Sequence, residues 1–160
     1  MKLRTLSLLC CLLLSAGAVL GQTSSPPAFS ASEAAKAGFA EVNDWIVKSA
    51  DMVPADKYNY KPVDTVRTFG QLIAHVADSY NFFCTRAVGT KFEGTDSEKG
   101  ATDKETLIPK LKEAVGRCTA AYDSKNADLR PLFGNITHTN LHYGNIITYM
   151  RMMGLKPPSS

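Results

Sequence analysis

Three stretches of this chain share one four-residue logic. Ser30-Ala31-Ser32-Glu33, Thr68-Phe69-Gly70-Gln71 and Thr102-Asp103-Lys104-Glu105 each place a hydroxyl three residues before a Glu or Gln. In such a capping box the hydroxyl accepts from the N3 amide while the N3 side chain accepts from the cap amide, so two orphan donors of a helix start are satisfied together. Apolar residues recur at helical spacing after each box, as in Phe39, Val42, Ile46, then Leu72, Val76, Tyr80, then Leu107, Leu111, Cys118. Pro54 and Gly89 are natural stops for the first two helices. A fourth periodic stretch runs from about Asn135 to Gly154, with Pro157-Pro158 beyond it. No stretch alternates with the period of a strand. The expectation is all-α: a four-helix bundle.

The connections differ in character. Ala55 to Arg67 has neither period and reads as an extended loop packed on the bundle. Thr90 to Ala101 is polar, contains Gly94 and Gly100, and reads as a mobile loop. Asp123 to Gly134 reads as a third loop, with Pro131 in it. Pro109 falls either in the first turn of a helix starting near Thr106 or at a kink in an earlier start. Gly144, costly by about 1 kcal/mol in a helix interior, is read as a close helix-helix approach.

The N-terminus belongs to a different class of segment. Met1-Lys2-Leu3-Arg4 is basic, Leu6 to Leu14 is apolar, and Ser15 to Gly21 is small-residue rich. That is the pattern of a secretory signal peptide over residues 1–21, too short in its apolar run for the ~20 residues of a spanning helix. Residues 22–29 form a flexible lead-in and residues 30–158 the single domain. The expected location is therefore outside the cytoplasm, periplasmic or secreted, with no stable membrane anchor after cleavage. Without Lys2 and Arg4 the chain has 16 basic and 15 acidic residues. That balance and the absence of basic runs argue against a nucleic-acid partner. Cys84 and Cys118 remain after cleavage; they form a disulfide or stand as two separate buried thiols.

The chemistry gathers on histidine, of which there are only three. His138 and His142 are one helical turn apart and project from one face. His75 lies at the border of the second helix's apolar stripe, where a groove between helices would form. Two ligands from one helix and one from another make a three-nitrogen metal site in a bundle, with at least one coordination position left to a small molecule. Imidazole suits zinc, nickel, copper and iron, so the ligand set alone does not fix the metal. Ser79, Arg86 and Asn145 are candidate helpers at the groove. No Glu stands inside the histidine pair, which argues against a zinc peptidase, and catalytic residues are not assigned.

These residues carry a resemblance. Thr68-Phe69-Gly70-Gln71-Leu72-Ile73-Ala74-His75, then His138-x-x-x-His142-Tyr143-Gly144-Asn145-Ile146-Ile147-Thr148-Tyr149-Met150-Arg151, and the ending Met153-Gly154-Leu155-Lys156-Pro157-Pro158 resemble the DinB-like (DinB/YfiT) superfamily of metal-binding four-helix bundles. The resemblance implies an up-down-down-up bundle with long crossings, frequently dimeric. It implies a divalent metal, most often zinc or nickel, held by His75, His138 and His142. Some members are transferases or isomerases that use a small thiol, and many have no known activity. Two functional readings follow: an exported metal-dependent transferase or hydrolase acting on a small molecule, or a non-catalytic metal-binding stress or envelope protein.

Overall fold

A computed structural model of the chain describes residues 29–92, 94, 97–100 and 102–160. The leader and nearly all of the lead-in lie outside the described residues. Among the described residues there are four α-helices and no strand: α1 (Ala31–Met52), α2 (Phe69–Ala87), α3 (Lys104–Asp123) and α4 (Leu129–Met152). No helix among them is long and apolar enough to cross a membrane.

Two of the three boxes form as the sequence predicts. Ser30 Oγ accepts from the Glu33 amide and Glu33 returns to the Ser30 amide; Thr68 and Gln71 do the same at α2. The third differs. Asp103, not Thr102, caps α3, accepting from the Thr106 amide at 2.8 Å. A carboxylate at an N-terminus also meets the positive end of the helix dipole. Thr102 is instead used for packing. Its carbonyl oxygen lies where a Cβ on Gly70 would be, at 2.1 Å from that ideal position. Pro109 sits in the second turn of α3, where the Glu105 carbonyl loses its usual i+4 donor.

The start of α4 also differs from the expectation. Helix begins at Leu129, capped by Asp128, six residues before Asn135. Pro131 is in its first turn, a position that needs no N–H and where its fixed φ fits. The expected loop from Asp123 to Gly134 shrinks to 124–128. Gly144 makes no close approach, since a Cβ there would meet nothing within 4 Å.

Pairs of contacts give the helix directions. Thr102 meets Gly70 near the starts of α3 and α2, and the Cys84–Cys118 disulfide joins them near their ends, so these two helices run the same way. Lys36 pairs with Asp123, and Lys104 Nζ donates to the Asp51 carbonyl, so α1 runs against α3. Trp45 stacks on Tyr143 and Gly38 faces Ile136, so α1 runs with α4. The core between them is aromatic at its heart. Phe39 lies 4.3 Å from Tyr122, stacked, and 5.5 Å from Tyr80, edge-on. Such pairs add about 0.5–1.5 kcal/mol beyond the burial of their area.

The disulfide settles the two cysteines. Their Cα atoms are 5.2 Å apart, within the range a bridge needs. Buried Asn135 lies beside it, with Nδ2 3.7 and 3.9 Å from the two sulfurs and 3.2 Å from the Tyr122 hydroxyl. The segment after α1 packs on the bundle as expected, but it is not extended throughout, since Ala55–Lys57 forms a 3₁₀ turn. Tyr58 is buried edge-on against Phe69 and donates to the Ala50 carbonyl at 2.6 Å. That hydrogen bond fixes the path by which the chain reaches the start of α2.

Candidate metal centre

α2 and α4 bring His75, His138 and His142 together, with one donor atom from each lying within 4.8 Å of the others. His138 Nε2 and His142 Nε2 are 3.1 Å apart. Two nitrogens bound at 2.0–2.1 Å to one tetrahedral ion lie about 3.3–3.4 Å apart, so these two are already at nearly coordinating separation. His75 completes the cluster with its ring centroid 4.6 Å from that of His142 and 5.2 Å from that of His138. The Nδ1 atoms of His138 and His142 are buried and make no hydrogen bond. Both rings thus turn Nε2 to the shared space.

His75 is oriented from outside. Its Nδ1 lies 3.2 Å from Glu98 Oε2, and Glu98 Oε1 accepts from Arg67 Nε at 2.6 Å. A carboxylate only accepts, so this contact keeps the His75 proton on Nδ1 and leaves Nε2 as a bare lone pair. Glu98 belongs to a 3₁₀ turn (Ser97–Lys99) in the segment expected to be mobile. That turn is docked on α2: Ser97 is buried and its amide donates to Asp78 Oδ2 at 2.8 Å.

The environment favours neutral imidazole. Burial, reinforced by the neighbouring histidines and by the Arg67 charge, holds His138 below the usual histidine range and pushes His142 down to about 4. Neutral imidazole is the form that ligates. Phe83 stands 5.6 Å from His138 and closes that side. On the other side His142 opens onto a cleft shared with Arg67, Gln71, Asn145 and Tyr149.

Of the helpers expected from sequence, only Asn145 reaches this cleft. Ser79 donates to the His75 carbonyl at 2.7 Å, a bond within its own helix. Arg86 lies over the Phe82 ring at 5.1 Å. The chain distance from His75 gave both of them the right helix but the wrong direction. Arg67 and Glu98 were missed. Arg67 adjoins the Thr68 cap, which is a signal of position; Glu98 sits in a polar segment with nothing to mark it.

A four-helix bundle with three convergent imidazoles, two on its last helix and one on its second, defines a class of helical protein that could hold a metal ion. The chain belongs to the DinB superfamily, whose family model matches residues 39–148. A search among curated proteins finds no match.

Proposed function

We propose that this protein is an exported DinB-superfamily enzyme that holds one divalent metal through His75, His138 and His142 and acts on a small molecule at the ion's remaining position. One observation carries the reading: the three donors lie within 4.8 Å, beside an open cleft. Three neutral nitrogens fit zinc with an exchangeable position, and they suit nickel as well. A bound ion of this kind supplies Lewis acidity and a positive field at the cleft. The protein's own part is to keep the imidazoles neutral by burial, to fix His75 through Glu98, and to shield the His138 side with Phe83. The reaction classes are a transferase using a small thiol, or a hydrolase.

Several features support the finer points. The disulfide suits an oxidising compartment, in keeping with the leader-like N-terminus. The paired helix directions agree with the up-down-down-up course of the family. Exposed Phe133, Leu141 and Met152 on α4 offer a surface for a homodimer. The rival reading is a metal-binding envelope protein without turnover. It draws on the absence, among the described residues, of a free carboxylate at the cleft, since Glu98 is committed to Arg67 and His75.

The test is to screen metal-loaded protein against electrophiles with and without small thiols, and against ester and amide substrates. His142→Ala is the matched control. Turnover present in the native protein and absent in the control is expected. Equal rates in both, or none at high protein concentration, would establish the binding-protein reading.

A further inference from the structure

The cleft beside His142 has a volume of about 540 Å³, a size that suits a small organic molecule. Its walls divide by chemistry. Pro62, Val66 and Leu72 form an apolar side. Arg67, Gln71 and Asn145 form a polar one, and among the described residues no carboxylate lines the space. The Arg67 guanidinium donates to Glu98 through Nε and Nη2. Of its five N–H groups, about three are left over. Gln71 Oε1 accepts from the Thr68 amide at 2.9 Å, and its two NH₂ donors remain for a ligand. The Tyr149 hydroxyl donates to the Arg67 carbonyl at 2.9 Å and holds that rim in place. The polar side is therefore rich in donors, its one guanidinium being shared with Glu98, and it faces a hydrocarbon wall.

From this placement we propose that the cleft is a subsite for a small organic carboxylate, with the carboxylate on Arg67 and the hydrocarbon part against Pro62, Val66 and Leu72. The inference rests on the three histidines holding a metal, because His142 then places the other end of the molecule beside the ion. Guanidinium and carboxylate match in shape and charge, and such bonds are roughly twice as strong as neutral ones. A neutral molecule of the same shape forfeits that term and keeps only the apolar contact.

The experiment uses cobalt(II) as the metal, whose visible bands report ligation, and 4-methylpentanoate with its amide as matched probes. Calorimetric titration of the cobalt-loaded protein is expected to show the acid binding at least about tenfold more tightly than the amide. In Arg67→Gln that preference should vanish while the cobalt bands persist. Val66→Trp, at an exposed position, should block the acid without altering the bands, and it decides the matter if Arg67→Gln loses cobalt. Equal binding of acid and amide overturns the subsite. So does a preference that survives Arg67→Gln, which places the carboxylate on the metal alone, or acid binding untouched by Val66→Trp. Absence of cobalt bands in the native protein refutes the metal reading instead, and the acid-to-amide ratio then measures the cleft separately.

Discussion

Glu98 Oε2 lies 3.2 Å from His75 Nδ1 although the two residues belong to different elements, and the same carboxylate is gripped by Arg67. The contact makes a polar connecting segment part of the candidate metal centre. It fixes the tautomer of one proposed ligand and raises that imidazole's basicity. Glu98→Gln keeps the size and removes the charge. Zinc affinity, measured by competition with a chelator, should fall by about 10–100-fold, with the helical circular dichroism unchanged. An unchanged affinity would reduce the Glu98 contact to surface pairing.

The pH dependence follows from burial. His142 is pushed down to about 4, and His138 is also lowered. Both stay neutral in the fold while the unfolded chain takes up protons near the reference value of ~6.5. The metal-free protein therefore has this contribution in full above ~6.5 and loses it as pH falls from there towards 4. The same shift moves proton competition at these two ligands into the acid range. The zinc-dependent rise in melting temperature should still be present at pH 6 and should decline as pH falls further. Its complete loss by pH 6 would contradict the burial of these rings.

The disulfide spans 34 residues of chain. On the loop-entropy account, opening it should cost about 3–4 kcal/mol. Urea unfolding of the Cys84→Ser, Cys118→Ser double variant measures the loss. Thiol titration of unfolded, non-reduced protein prepared from an oxidising compartment should find no free thiol. Two thiols per chain would rule out the bridge.

Two glycines on helices should respond in opposite directions. Gly70→Ala drives a methyl into the Thr102 carbonyl, a backbone atom that cannot swing away, and should destabilise by at least about 2 kcal/mol. Gly144→Ala meets open space and should stabilise by about 0.5–1 kcal/mol. Thermal melts of the two variants give the comparison directly. Like signs would show that the packing of α2 against the start of α3 has been misread.

Much of this architecture was legible in the chain. Periodicity and caps are local, so Ser30 and Thr68 mark true helix starts. The histidine spacing is local too, and it placed His138 and His142 on one face. What failed depended on neighbours distant in sequence. Thr102 lost its cap role because its carbonyl is pressed against α2 and the next residue caps better. Gly144 was assigned an approach that Gly70 makes, since a glycine in a helix does not reveal which partner crosses it. Asp128 is a good N-cap and Pro131 a good first-turn residue, but Pro131 and Gly134 together read as loop residues and hid the first six residues of α4. Glu98 enters the site through a turn whose docking is fixed by Ser97 and Asp78. Whether Cys84 and Cys118 pair depends on two helices running in the same direction, which spacing alone does not set.

The central claim is that three imidazoles share one ion. X-ray absorption of the zinc-loaded chain, with zinc counted per protein, tests it most directly. One zinc per chain is expected, with three imidazole nitrogens at about 2.0–2.1 Å and one further light atom. The imidazole scattering should drop by one ring in each of His75→Ala, His138→Ala and His142→Ala. An oxygen-only shell, a sulfur ligand, or a spectrum unchanged in these variants would contradict the assignment.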